Sequence, residues 1–163
     1  MRRFLLGIVL ATLIPSACSS NSPSSPSPPL ANFQGQFTGT YSVTSCSETA
    51  AYSGFCAGAG FTNGTILPIA LSITQNQAAV NGTLTFGTLT GPYVGAVQSS
   101  GNMTGTASLN SQSLQGLTVL TNVSGWNTTI VGNAQSGTFT LAFTVTGVAG
   151  GATVNATIVQ LVR

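Results

Sequence analysis

From Phe33 onward the apolar residues of this chain fall on every second position, and that period limits what the chain can fold into. Phe33, Gly35, Phe37, Gly39, Tyr41 and Val43 share one parity, and Gln34, Gln36, Thr38, Thr40 and Ser42 share the other. Leu67, Ile69, Leu71 and Ile73 repeat the pattern, as do Val80, Leu84 and Phe86, then Tyr93 and Val97, then Met103, Ala107 and Leu109. Leu117, Val119, Thr121 and Val123 follow, then Phe139, Leu141, Phe143 and Val145, then Ala152, Val154, Ala156 and Ile158. A two-residue period sends successive side chains to opposite faces of a strand, so each segment has one apolar face and one face rich in Thr. In the last segment the parity slips by one to Val159 and Leu161, the mark of a bulge.

Turn signals separate the segments at Gln75-Asn76-Gln77, Thr90-Gly91-Pro92, Ser99-Ser100-Gly101-Asn102 and Gly147 to Gly151. Short strands joined by short turns pair with their neighbours in succession. A unit of apolar, polar, Gly, Thr, apolar recurs at Phe37–Tyr41, Val80–Leu84 and Met103–Ala107, with looser copies at Tyr93–Val97 and Gln135–Phe139. Glycine inside a strand marks a bend or a close backbone approach, which a sheet needs in order to curl on itself. The expected fold is all-β: a single antiparallel up-and-down β-barrel of about eight strands over residues 33–163.

Charge excludes several classes of function. Arg2, Arg3, Glu48 and Arg163 are the only charged side chains, and there is no His. A nucleic-acid binder needs several cations against phosphates, and a polybasic membrane patch needs a cluster of them. Neither is available, so no nucleic-acid partner is expected. Paired carboxylates are impossible, and a Ser nucleophile would have no His or Lys to activate it, so no enzyme activity is expected. No cofactor and no metal site are expected either, because His is absent and acids are too few to complete a shell. The Asn-x-Ser/Thr matches at Asn63, Asn81, Asn102, Asn122, Asn127 and Asn155 are read as chance in a Thr-rich strand protein.

The first residues carry a different signal. Met1-Arg2-Arg3 precedes an apolar run from Phe4 to Ile14 and then Pro15-Ser16-Ala17-Cys18. The run is too short for a hydrocarbon core of ~30 Å, which takes about 20 residues. A charged start, a short apolar stretch and small residues make a secretory signal. With the cysteine directly after the small pair, the segment resembles the signal peptide and lipobox of bacterial lipoproteins, although Pro15 stands where that family usually has Leu. The resemblance implies a signal peptide over 1–17, lipidation of Cys18, and a Ser/Pro-rich disordered linker over 18–32. It implies attachment to a membrane through the N-terminal lipid, at the bacterial cell envelope, on an outer membrane facing periplasm or cell surface. Plain secretion after cleavage near Ala17 is the alternative. With the leader removed, Glu48 and Arg163 are the only charged side chains left.

The cysteines agree with that address. Lipidation would use Cys18, leaving Cys46 and Cys56 as a pair in an exported protein. A disulfide between them is expected, since the spacing is not that of a redox Cys-x-x-Cys motif and no nearby cation would lower a thiol pKa.

The strand array over Phe33 to Arg163 resembles the eight-stranded meander barrels of the avidin and lipocalin type, with Gly39-Thr40-Tyr41 closest to the Gly-Thr-Trp of the avidin first strand. The resemblance implies an architecture and no ligand. Avidins surround biotin with several tryptophans, and this chain has only Trp126; the early Gly-x-Trp of lipocalins is absent. Two functions remain open. The barrel could bind one small, mostly apolar ligand lined by Phe37, Tyr41, Leu84, Phe86, Tyr93, Phe139 and Phe143, with the central glycines leaving room. Alternatively, it could be a structural or adhesive surface protein that meets an envelope protein through the 47–63 loop, with Tyr52, Phe55 and Phe61 as its contacts.

Overall fold

The computed structural model describes residues 29–114 and 117–163. The leader, Cys18 and the linker through residue 28 lie outside the described residues. Eight strands follow in chain order: β1 (Gly35–Glu48), β2 (Ile66–Asn76), β3 (Ala79–Phe86), β4 (Leu89–Val97), β5 (Met103–Leu114), β6 (Leu117–Val131), β7 (Ala134–Val145) and β8 (Ala152–Val162). Each pairs antiparallel with the next, and β8 pairs with β1 to close the barrel. The all-β, up-and-down, eight-stranded expectation holds. A 3-10 turn (Ala50–Tyr52) and one helical turn, α1 (Phe55–Gly58), sit in the β1–β2 connection.

The period-two pattern decides which face is inside. Phe37, Tyr41 and Val43 of β1 are buried, as are Ile69, Leu71 and Ile73 of β2 and Phe139, Leu141 and Phe143 of β7. The residues of opposite parity make the outer wall, where hydroxyls and amides bond across strands in place of charges. Ser108 and Asn122 bond at 3.0 Å, and Thr140 donates to Asn155 at 2.9 Å. Across the closing seam, the Asn155 amide donates to Ser45 Oγ and Thr44 Oγ1 donates to the Asn155 carbonyl. A membrane-spanning barrel has the reverse plan, apolar outside and polar inside.

The recurring glycines serve closure. A Cβ built at Gly39, Gly82, Gly95, Gly105 or Gly137 would strike backbone of the neighbouring strand. Each of those residues is the centre of one copy of the unit described above. Their absent side chains let adjacent strands press together.

Three local expectations need correction. Thr90-Gly91-Pro92 is not a turn but lies within β4, and the chain reverses at Gly87-Thr88 instead. Gly91 acts as another strand glycine there, since a Cβ would lie 2.7 Å from Leu109 Cα in β5. Val159 does not join the inner face. It is the extra residue between Ile158, opposite Tyr41, and Gln160, opposite Thr40, and it is 54% exposed. The slip itself is the bulge expected, with both bulge residues turned out. Finally, β6 continues past Val123 through another bulge, where Ser124 and Asn127 face Thr140 and Thr138. Gly125, at φ 58, takes up the extra residue and brings Trp126 back inside, 1% exposed.

The two ends differ. At one, Phe33 is fully buried, and its N–H donates to Gln75 Oε1 at 2.7 Å while Gln75 Nε2 donates to the Ala31 carbonyl at 3.0 Å. Arg163 donates to the carbonyls of Gln34 and Asn32 and lies 5.6 Å from the Phe37 ring centroid. This end is sealed. The other end receives the long β1–β2 connection, and the candidate site forms there.

Candidate functional site

β1 extends to Glu48, so the connection expected over 47–63 spans residues 49–65. Three ties fold it back over the barrel. Cys46 of β1 and Cys56 of α1 form the expected disulfide, with Cα atoms 5.9 Å apart. By the chain-entropy model a loop this short contributes roughly 2–3 kcal/mol. The Glu48 carboxylate accepts from the backbone N–H groups of Gly54 (2.6 Å) and Cys56 (2.8 Å). The Tyr52 hydroxyl accepts from the N–H of Val145 at the end of β7. Tyr52 is buried, and Phe55 and Phe61 place their rings 5.0 and 5.3 Å from Phe143. The loop aromatics therefore point into the mouth, not outward toward a partner.

Beneath this cap lies a cleft of about 360 Å³. Tyr41, Phe61, Leu67, Phe86, Leu89, Leu141 and Phe143 wall it, and Gln112 and Thr88 join at the rim, Gln112 Nε2 donating to Thr88 Oγ1 at 3.0 Å. The volume lies in the range of small-molecule sites, about 300–1,000 Å³. Neither charged side chain of the described residues lines it.

Below the cleft the interior is filled. Tyr41, Phe86 and Phe139 meet with ring centroids 5.2–5.4 Å apart, Trp126 stacks on Phe139 at 5.4 Å, and Tyr93 meets Trp126 edge-on at 5.5 Å. The seven residues expected to line a ligand therefore divide. Tyr41, Phe86 and Phe143 reach the cleft, while Phe37, Leu84, Tyr93 and Phe139 are buried in the packed core. The central glycines do not leave room for a ligand. Neighbouring backbone takes the space at Gly39, and the Tyr93 ring lies over the Gly95–Gly105 pair. Phe61, Leu67, Leu89 and Leu141 complete the cleft. Leu67 and Leu141 were legible as inner-face residues by parity, but nothing in the pattern separates residues near the mouth from residues near the sealed end.

A short polar chain lies deep in the core. Trp126 Nε1 donates to Thr128 Oγ1 at 3.2 Å, and Thr128 Oγ1 bonds to Gln135 Oε1 at 3.3 Å. Tyr93 Oη and Gln135 Nε2 are buried without a partner among the described residues.

Burial raises the Tyr41 phenol to about 12 and pushes the Tyr93 phenol above its ordinary range. Backbone donors at Cys56, Gly54 and Phe55 hold the Glu48 carboxyl below its usual value despite exposure. The signs follow by linkage. Tyr41 and Tyr93 bind protons more tightly folded than unfolded, so their contribution is complete below pH ~10, the free phenol value, and is lost above it. Glu48 contributes above the ordinary carboxylate range and loses that contribution on acidification. Denaturant midpoints measured across pH should therefore fall between pH 10 and about 12. Tyr41 alone accounts for roughly 2 kcal/mol at the upper limit. Tyr41→Phe should flatten part of that decline, and an unchanged slope would refute the assignment.

Among the described residues no group of three His, Cys, Asp or Glu gathers where a metal ion could sit. In comparison with known proteins, no family model matches the chain, and no curated protein and no solved structure is significantly similar to it.

Proposed function

We propose that the protein is a lipid-anchored, non-enzymatic barrel of the bacterial cell envelope that holds one small, mostly apolar molecule at its capped mouth. The observation that carries the reading is the aromatic-walled cleft of about 360 Å³ between the barrel mouth and the disulfide-tied connection. Its walls bring apolar area together at one concave place, where burying a ligand contributes about 25 cal/mol per Å² removed from water. The anchor half of the proposal rests on the sequence Pro15-Ser16-Ala17-Cys18 and the polar tract after it. The adhesive alternative has less support, because Tyr52, Phe55 and Phe61 are committed to contacts inside the mouth.

Native mass spectrometry of protein purified from its host should show a bound small molecule, lost on substituting Phe143→Asp. Repeated recovery of the bare chain would count against the ligand half. Cys18→Ser should move the protein from the membrane fraction to the soluble one, and continued membrane association would refute the anchor half.

A further inference from the structure

The cleft has a chemical bias beyond being apolar. Its wall carries rings and aliphatic side chains, and its polar side chains are Tyr41, Thr88 and Gln112. Thr88 and Gln112 already bond to one another at the rim. Tyr41 also lines the cleft, is 2% exposed, and owes its raised phenol pKa to burial. The nearest source of positive charge is unhelpful, because Arg163 is engaged at the sealed end with Gln34, Asn32 and the Phe37 ring. The one acidic side chain among the described residues, Glu48, stands at the mouth end and ties down the cap through Gly54 and Cys56.

We propose that the mouth cleft selects uncharged amphiphiles, with an apolar body against the ring wall and a hydroxyl or carbonyl head at Tyr41 Oη, and rejects anionic ones of the same shape. This rests on reading the mouth as a ligand site. The physical reason is desolvation. A neutral head loses water and regains one hydrogen bond from Tyr41, whose phenol stays protonated across the neutral range. An ionised carboxylate entering the same cleft loses far stronger hydration and finds no cation, with Glu48 adding like charge on that end. Such a site differs from a fatty-acid carrier, which needs a Lys or Arg to receive the carboxylate.

Isothermal titration of the full chain carrying Cys18→Ser, which avoids detergent, tests the point with 1-decanol and sodium decanoate at pH 8. The two probes share one alkyl body and differ in head charge. Decanol should bind at least tenfold more tightly than decanoate. Tyr41→Phe should weaken decanol roughly fivefold, one neutral hydrogen bond, while leaving decanoate unchanged. Equal affinities, or tighter binding of decanoate, would overturn the selectivity and leave the ligand site standing. Decanol affinity unchanged in Tyr41→Phe would overturn the role of Tyr41. Binding of neither probe would overturn the site itself, and the selectivity with it.

Discussion

Replacing Trp126 by Ala should cost about 3–5 kcal/mol, the range for removing a large aromatic from a packed core. Trp126 is 1% exposed, stacks on Phe139 at an interplanar angle of 21°, and meets Tyr93 edge-on. It also donates to Thr128, so truncation removes the donor at the head of the Thr128–Gln135 chain. The surroundings are poorly placed to collapse into the gap. Closed strand pairing fixes the wall, and Tyr93 is held over the Gly95–Gly105 pair. For a domain of this size the melting temperature should fall by roughly 10 °C or more. Trp126→Phe, which keeps a ring against Phe139, should lose about half as much. Thermal and denaturant unfolding of both variants measures this, and a loss under 1 kcal/mol for Trp126→Ala would show that the core is not organised around this ring.

The second large effect comes from adding a single methyl group. Gly39→Ala places a Cβ against the carbonyl of Gln160 and 2.8 Å from Leu161 Cα. Those atoms belong to β8, and the β1–β8 pairing is the seam that closes the barrel. Overpacking typically costs about 1–3 kcal/mol when side chains can move aside. Here the obstacle is backbone, so the strands must separate, and a loss of about 3 kcal/mol or more is expected. The comparison is Gly58→Ala in α1, where a Cβ meets nothing within 4 Å. That change should be neutral or stabilise by up to about 1 kcal/mol. Faster amide exchange confined to β1 and β8 in Gly39→Ala would identify the seam as the site of damage. Equal effects of the two substitutions would contradict the close-approach role of the glycine motif.

The strands were legible because the chain repeats one rule many times. Thr and apolar residues alternate, and a closed antiparallel meander satisfies every segment with its neighbours, so the parity of Phe37, Leu71, Leu84 or Phe139 was enough to place each inside. The rule failed where the backbone inserted an extra residue. Trp126 has the opposite parity from Val123, and only the left-handed Gly125 between them reconciles the two. Thr90-Gly91-Pro92 misled because Gly and Pro are turn residues in most chains, whereas a tightly curled barrel also uses Gly for contact between strands. The candidate site was half legible. Alternation identified Tyr41, Phe86 and Phe143 as interior, but depth along the barrel axis depends on register, which a single strand does not encode. The inward turn of Phe55 and Phe61 follows from the disulfide, the Glu48 bonds and the Tyr52–Val145 bond acting together, and the last joins residues far apart in sequence.

The chain enters the barrel at its sealed end, where Gln75 and Arg163 grip residues 31–34, and the cleft opens at the opposite pole. Under the proposed attachment at Cys18 this polarity sets a route. The tether would join the barrel at its sealed pole and leave the mouth, at the opposite pole, clear of the attachment. A ligand under that reading would enter at the pole away from the attachment. The anchor and the proposed site would then lie at opposite poles, so that a change to the leader or linker leaves the cleft untouched.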